Sequence, residues 1–381
     1  MRFLHIFTTT LSAAAVVSAA LSTDQAPLLH HASNNRTVSA QLFSELEEFA
    51  RIVDISYCVG IGGFGIRKPF SCLSRCSDFP AFELVTTWNT GPLLADSSGY
   101  IAVDHGKQRI VVAFRGTYSI ANTIVDLSTI SQKYESYPST GGGHDQVQCD
   151  NCTVHSGFYS SWLQTRNRIL PALLRPLQLY PSYSVHLVGH SLGGAVAALG
   201  GLAFQAEGYD PTVTTFGEPR IGNKQLTKFL DERFNLQDSG HQEERKYRRI
   251  THVDDPVPLL PLSEWGYTSH AGEIFISKPA LSPDIANVQY CEGDHDSSCI
   301  AGQDASVIDN TVGAKQKRGL LASVEDEIQD VVNEPWGVPS RYKLWQLFFA
   351  HRDYFWRLGL CVPGGDPLGG GGKYGSGAGE L

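Results

Sequence analysis

One short segment, residues 185–195, constrains the fold of this chain more than any other. Residues 185–188 read Val-His-Leu-Val, and residues 189–193 continue as Gly-His-Ser-Leu-Gly. Three alanines follow at positions 195, 197 and 198, and alanine is the strongest helix former. Glycine is tolerated where two backbones approach closely or turn sharply, so Gly189 and Gly193 should mark such contacts. The segment therefore predicts a buried strand that turns sharply into a helix, with Ser191 at the turn.

Ser191 has the sequence setting of a nucleophile. A serine between two glycines on a strained strand-to-helix turn projects its hydroxyl above the sheet, an arrangement known as the nucleophile elbow of α/β-hydrolases. The unpaired N–H groups at the start of the next helix point to where an anionic oxygen would form. The alternative interpretation is a glycine-rich turn with an idle serine.

Further strand-like segments alternate with helical ones along the chain. The apolar strand-like runs are residues 100–103, 109–114, 185–188, 213–216, 247–252 and 273–276, and helical patterns cover 157–179 and 192–207. A first helix is predicted from the spacing of Leu42, Leu46, Phe49 and Val53. This alternation predicts an α/β sandwich with a mostly parallel central sheet. Together with the elbow at Ser191 it indicates a three-layer fold of the α/β-hydrolase type. With 42% hydrophobic residues, the 381-residue chain is long enough for one large core.

The two ends of the chain differ from this central part. Residues 1–20 carry one early positive charge, an apolar stretch and small residues, a pattern typical of a secretory signal peptide. We expect a polar leader over 21–37, one domain over 38–362 with an insertion at about 277–345, and a glycine-rich flexible tail over 363–381. No other run is apolar enough to cross a membrane, so we expect a secreted protein. The dibasic pair Lys317-Arg318 is either a processing site or a solvated charge cluster.

Cysteine usage agrees with secretion. An even number of cysteines behind a signal peptide indicates disulfides, and spacing suggests three local pairs that leave two distant cysteines for each other. The expected pairs are Cys72–Cys76, Cys149–Cys152, Cys291–Cys299 and Cys58–Cys361. The alternative for Cys149 and Cys152 is a redox or half-zinc motif, which lacks a second such pair. Asn35 and Asn151 each begin an N-glycosylation sequon.

The charge of the chain limits its partners. The formal net charge is −9 and no basic stripe is present, which disfavours nucleic acid and strongly anionic membranes. An apolar or neutral substrate fits better. The oligomeric state has no signal in the sequence.

A nucleophilic serine requires a base and an acid that orients the base, and in this fold they follow in the order acid, then histidine. Asp255 lies in Asp-Asp-Pro-Val-Pro directly after the strand-like run 247–252 and is the preferred acid, with Glu218 as the alternative. For the base, His351 in an aromatic setting near Cys361 is preferred over His270. His190 should point into the structure as a packing and hydrogen-bonding residue.

The oxyanion of an acyl-transfer intermediate requires two hydrogen-bond donors. The backbone N–H of Leu192, the residue after the nucleophile, is one candidate. Thr117 is the other, because Phe114-Arg-Gly-Thr117 ends a strong strand-like run in a loop.

Five segments together resemble the fungal class 3 triacylglycerol lipases. They are Phe114-Arg-Gly-Thr117, Gly189-His-Ser-Leu-Gly-Gly-Ala195, Phe216-Gly-Glu-Pro-Arg-Ile-Gly-Asn223, Asp255-Pro-Val-Pro258 and His351-Arg-Asp-Tyr-Phe355. The resemblance spans about residues 40–361 and implies Ser191, Asp255 and His351 as a catalytic triad, with Thr117 and Leu192 as the oxyanion hole. It also implies a disulfide from an early Tyr-Cys to a cysteine soon after the catalytic histidine.

The resemblance has two departures that concern the substrate. Residues 119–127, which correspond to a short helical lid in that family, contain no aromatic residue here, although Ile120, Ile124 and Leu127 make an apolar face. Asp255 and His351 are 96 residues apart, so the insertion should add a flap or rim to the cleft. The resemblance implies a serine hydrolase of acylglycerol esters at a lipid–water interface, without metal or other cofactor. Alternatives are a feruloyl-type esterase, a phospholipase, or a lipase-like binding protein without catalysis.

Overall fold

A twisted eight-stranded sheet is the largest feature of the fold. The computed structural model describes residues 36–60, 65–91, 97–117, 130–136, 148–237, 240, 242–303 and 350–362. The strands in chain order are β1 Phe82–Asn89, β2 Ser98–Asp104, β3 Arg109–Phe114, β4 Ser131–Lys133, β5 Thr153–His155, β6 Ser184–His190, β7 Thr212–Phe216, β8 Tyr247–His252, β9 Glu273–Ile276 and β10 Val288–Tyr290. The large sheet has the order β1-β2-β3-β6-β7-β8-β9-β10, and β4 pairs separately with β5.

The centre of the large sheet is parallel. Strands β3, β6, β7, β8 and β9 run in one direction, while β1, β2 and β10 are antiparallel to their neighbours at the two edges. Every strand-like run identified in the sequence lies within one of these strands, so the predicted mostly parallel α/β sheet is confirmed. Because the five central strands are parallel, the loops after their carboxyl ends meet at one edge of the sheet.

Helices cover both faces of the sheet. The described helices are α1 Ala40–Ile55, α2 Ser156–Leu179, α3 Leu192–Ala206 and α4 Lys224–Phe234. Alternate residues of β3 point to opposite faces: Ile110 and Val112 pack in the same apolar cluster as α2 and α3, whereas Val111 and Ala113 pack in the cluster that contains α1. This alternation produces the three layers of the sandwich.

Four disulfides hold the described chain together. They join Cys58 to Cys361, Cys72 to Cys76, Cys149 to Cys152 and Cys291 to Cys299, the same pairs that the sequence suggested. Asn151 is exposed between the cysteines of the third pair, and its glycosylation stays a prediction. Among the described helices, none combines the length and apolarity needed to span a bilayer.

Part of the predicted insertion belongs to the sheet. Residues 288–290 form β10, which pairs antiparallel with β9, and the Cys291–Cys299 bond follows it directly. Several expectations fall outside the described residues: the rest of the insertion with Lys317-Arg318, the signal peptide, the leader up to Asn35, the lid residues Ile120, Ile124 and Leu127, and the tail over 363–381.

Candidate active site

Ser191 lies on a sharp turn between β6 and α3. Its backbone has φ 57° and ψ −128°, a conformation that residues other than glycine rarely adopt. The backbone N–H of Ser191 donates to the carbonyl of Phe216 at 2.9 Å. A Cβ atom at Gly189 would lie 2.2 Å from the carbonyl oxygen of Gly193, and one at Gly193 would lie 2.4 Å from that of Phe114. The turn therefore requires both glycines, as the sequence predicted.

Asp255 is fixed in a loop directly after β8. Its neighbour Asp254 is exposed, whereas Asp255 is 1% exposed, which distinguishes the two aspartates. One carboxylate oxygen of Asp255 accepts a hydrogen bond from the backbone N–H of Val257 at 2.9 Å, and the other accepts one from the hydroxyl of Tyr354. These two hydrogen bonds fix the orientation of the Asp255 carboxylate.

His351 contacts this carboxylate. Its Nδ1 lies 3.1 Å and 3.0 Å from the two carboxylate oxygens of Asp255, across 96 residues of chain. Gly217, with φ 58°, packs against both side chains, because a Cβ there would lie 2.9 Å from the His351 ring and 3.0 Å from the Asp255 carboxylate. The structure thus brings the preferred acid and the preferred base together.

The other ring nitrogen of His351 and the hydroxyl of Ser191 share an unusual property. Both atoms are buried, and within the described part of the chain neither His351 Nε2 nor Ser191 Oγ has a hydrogen-bond partner. A buried polar atom without a partner costs free energy, so such atoms tend to mark sites that act on something else. Two chemically active atoms are therefore available to a reactant.

The electrostatics of the pair keep Asp255 ionised. Burial on its own raises the pKa of the Asp255 carboxyl, but the charge of His351 and the hydrogen bonds from His351, Tyr354 and Val257 outweigh it, and the pKa lies below its ordinary value. An ionised carboxylate at Nδ1 holds a proton on that nitrogen and leaves Nε2 as the ring nitrogen that can take up a proton.

Thr117 and Leu192 lie at the same edge of the sheet. Leu192 begins α3 directly after Ser191, and Thr117 follows the end of β3, the parallel neighbour of β6. The two loops are close, because a Cβ at Gly116 would lie 2.9 Å from the Cβ of Ser191. Gly116 therefore lies against Ser191, and Thr117 is the next residue of this loop.

Glu218 and His270, the alternative acid and the alternative base, contact each other instead. Glu218 contacts Nε2 of His270 at 2.9 Å and accepts hydrogen bonds from the hydroxyls of Thr215 at 2.6 Å and Tyr247 at 2.8 Å. The neighbouring Arg220 guanidinium donates to the carbonyl of Leu259 at 2.8 Å. Both side chains of this second pair are buried and contact each other, and neither forms a hydrogen bond with the Ser191 hydroxyl.

Sequence reasoning missed two tyrosines at the site. Tyr354 donates to Asp255, and the only signal for it was its place three residues after His351. Tyr57 contacts the ring of His190 at 2.5 Å, and its signal was only the adjacent Cys58. His190 points into the structure, as expected.

Comparisons with known proteins identify the family of the chain. The family described as lipase (class 3) matches residues 111–265 of the chain, which include Ser191 and Asp255. The chain is 53% identical over 357 residues to "Secreted mono- and diacylglycerol lipase 2" of Gibberella zeae, covering 88% of this chain and 86% of the relative. It is 52% identical over 373 residues to "Lipase A" of Sodiomyces alcalophilus, covering 91% and 88%.

A solved structure extends the likeness to the fold. The crystal structure of Lip2 lipase from Yarrowia lipolytica matches with a TM-score of 0.67 at 32% identity, covering 86% of this chain and 97% of that one. The relatives are enzymes that hydrolyse carboxylic esters, and secretion is part of one relative's name. On these identities and coverages, the chain belongs to the fungal class 3 lipases and is a secreted carboxylic ester hydrolase.

Proposed function

We propose that this protein hydrolyses acylglycerol esters through an acyl-enzyme intermediate on Ser191, with His351 as base, Asp255 as the acid that orients it, and Thr117 and Leu192 as oxyanion donors. The observation that carries the proposal is the combination of a Ser191 hydroxyl and a His351 Nε2 that are both buried without a partner, while Nδ1 of His351 is held by Asp255.

The first half of the reaction forms the acyl-enzyme. His351 Nε2 takes the proton from Ser191 Oγ as the oxygen attacks the ester carbonyl, and the carbonyl oxygen becomes an oxyanion. The N–H groups of Thr117 and Leu192 stabilise that charge. His351 then gives its proton to the departing alcohol, and Ser191 carries the acyl group as an ester.

The second half releases the acid. Water takes the place of the alcohol and loses a proton to His351 as it attacks the acyl carbonyl. Collapse of the second tetrahedral intermediate frees the carboxylic acid, and the proton returns from His351 to Ser191. Asp255 stabilises the imidazolium in both halves without taking its proton.

Two observations favour an acylglycerol as the substrate. The relative from Gibberella zeae is named a mono- and diacylglycerol lipase and shares 53% of its aligned residues with this chain. The net charge of −9 also suits a neutral ester better than an anionic phospholipid. The substrate would meet the enzyme at a lipid–water interface, with the segment containing Ile120, Ile124 and Leu127 as the proposed lid.

A Ser191→Ala variant tests the proposal. We expect it to lose ester hydrolysis by a factor on the order of 10⁶, because the nucleophile and its partners act as a unit, while it is secreted normally. Hydrolysis would be measured on emulsified mono-, di- and triacylglycerols, on a phospholipid and on a soluble feruloyl ester.

Each result has a distinct meaning. Full activity in Ser191→Ala would remove Ser191 as the nucleophile. Faster turnover of the feruloyl ester or of the phospholipid than of any acylglycerol would replace the proposed substrate class. A binding protein without catalysis would fail to label with a fluorophosphonate probe, whereas we expect the wild-type protein to label at Ser191.

A further inference from the structure

His190 lies directly behind His351 and holds its backbone. The two rings stack with their centroids 4.7 Å apart and an angle of 29° between their planes. Nε2 of His190 lies 2.7 Å from the main-chain carbonyl oxygen of His351, across 161 residues of chain. The side chain before the nucleophile therefore contacts the residue that we assign as the base through both its ring and its backbone.

The tautomer of His190 follows from these contacts. A carbonyl oxygen only accepts hydrogen bonds, so Nε2 of His190 carries a proton and donates it to His351. Burial and the nearby charge of His351 lower the pKa of His190 to about 3, so the ring stays neutral at working pH. Nδ1 is then an acceptor, and the hydroxyl of Tyr57 donates to it at 2.5 Å.

Tyr57 connects this histidine to a second loop. The phenolic oxygen of Tyr57 also accepts a hydrogen bond from the backbone N–H of Gly116, the residue before Thr117. A Cβ at Gly116 would lie only 2.5 Å from that oxygen, so the loop passes directly over the hydroxyl. Tyr57 itself is held, because its neighbour Cys58 is bonded to Cys361.

We propose that Tyr57 and His190 are positioning residues, which form a continuous hydrogen-bonded connection from the backbone of Gly116 to the backbone of His351. The connection sets the distance between the loop that carries Thr117 and the segment that carries His351, with Ser191 between them. It rests on the proposed function, since it assigns no new chemistry and acts only through the triad and the oxyanion donors.

The connection acts on turnover rather than on substrate affinity. Neither Tyr57 nor His190 is placed to bind substrate, since each is 2% exposed and bonded to other residues of the chain. Breaking the connection shifts His351 and Thr117 relative to Ser191, and a misplacement of about 1 Å in a catalytic arrangement costs on the order of 100-fold in rate. A residue that only stabilised the fold would reduce the amount of active enzyme and leave kcat per folded molecule unchanged.

The test compares two buried tyrosines that each lose one hydroxyl. Tyr57→Phe breaks the connection, and Tyr100→Phe is the matched control, because Tyr100 is fully buried and its hydroxyl donates to the carbonyl of Ile52 at 2.9 Å, away from the site. His190→Phe keeps a ring against His351 without either hydrogen bond, and the double variant combines it with Tyr57→Phe. kcat and KM are measured on a soluble short-chain ester, per active site titrated with a fluorophosphonate.

We expect kcat of Tyr57→Phe to fall between 10- and 100-fold with KM within about twofold of wild type, while Tyr100→Phe keeps both values. The double variant should be no worse than His190→Phe, because the two residues act in one connection. Equal kcat in the two tyrosine variants, or additive losses in the double variant, would overturn the inference. If His190→Phe does not fold, the comparison of the two tyrosine variants still decides it.

Ser191→Ala, measured in parallel, separates this inference from the function on which it rests. Activity that persists in Ser191→Ala contradicts the proposed function. If Ser191→Ala is inactive but Tyr57→Phe equals Tyr100→Phe, the proposed function stands and only the connection is refuted.

Discussion

At the scale of single residues, the turn at Ser191 depends on neighbours that have no side chain. The left-handed backbone of Ser191 costs about 1 to 3 kcal/mol, and the packing around the turn must hold it. Gly189 and Gly193 make that packing possible, because their main chains lie where a Cβ atom would overlap another backbone atom. A backbone neighbour cannot move aside as a flexible side chain can.

Two adjacent glycines provide a direct test of this requirement. Gly193→Ala places a Cβ 2.4 Å from the carbonyl oxygen of Phe114, whereas Gly194→Ala places one 3.3 Å from the Cβ of Glu218. We expect Gly193→Ala to destabilise the protein by about 3 kcal/mol or more through overpacking, and to reduce activity. The measurement is urea unfolding of both variants.

Gly194→Ala is the control for that experiment. It needs a shift of only a few tenths of an ångström, and alanine favours the helix by about 1 kcal/mol over glycine, so its stability should stay near the wild-type value. Similar losses in the two variants would contradict the role that we assign to the Gly193 contact.

At the scale of elements, the carboxyl end of α1 anchors the segment that carries His351. Asp54 in the last turn of α1 accepts a hydrogen bond from the backbone N–H of Gly359 at 3.0 Å and another from the hydroxyl of Ser74 at 2.9 Å. Burial raises the pKa of Asp54 to about 6, although these hydrogen bonds and Arg75 partly oppose the shift. The helix therefore holds the segment through a carboxyl group that prefers to be protonated.

The raised pKa predicts a pH dependence of stability. The unfolded chain loses this proton near pH 3.8, and the folded chain keeps it until about pH 6. The contribution of Asp54 is thus complete below pH 3.8 and is lost as the pH rises through 6, by about 3 kcal/mol in total. We expect Asp54→Asn, which keeps the shape but does not ionise, to be more stable than wild type at pH 7.

Urea unfolding at pH 4, 5, 6 and 7 measures this difference. The free energy of unfolding of Asp54→Asn relative to wild type should increase with pH over that range and level off above 6. A difference that is constant across the four pH values would show that Asp54 ionises normally in the folded protein.

At the scale of the whole molecule, one disulfide closes nearly the entire described chain into a loop. Cys58 and Cys361 are 303 residues apart, and they join the turn that follows α1 to the segment ten residues after His351. Cys72 and Cys76 are only 4 residues apart. In the chain-entropy view, a bond that closes a longer loop restricts the unfolded state more.

The two disulfides should therefore differ strongly in how much each stabilises the folded protein. We expect the double variant Cys58→Ser/Cys361→Ser to lose on the order of 5 kcal/mol of stability, and Cys72→Ser/Cys76→Ser about 2 kcal/mol, as measured by urea unfolding. The first variant should also lose activity, because the segment with His351 is released. An equal loss of stability in both variants would indicate that loop closure does not determine how much each disulfide stabilises the protein.

Much of the sheet could be predicted, and the exceptions have a common physical cause. The buried central strand β3 is apolar at every position after Arg109, and β6 contains Val185, Leu187 and Val188, so both strands stand out in the sequence. Edge strand β1 mixes buried and exposed residues over eight positions, and β10 has only three residues, so neither has a distinct signal. Helix α4 was also not identified, although Asn223 caps its start.

The sequence by itself determined the features that depend on local geometry: the strand–turn–helix unit at Ser191, the parallel central strands and the three short-range disulfides. Only the tertiary structure decided which carboxylate meets which histidine. Asp255 contacts His351 across 96 residues, while Glu218 contacts His270 across 52. Spacing along the chain does not encode such distances, because they arise when packing of the sheet and α1 brings remote loops to one edge. The connection from Gly116 through Tyr57 and His190 to His351 has the same origin.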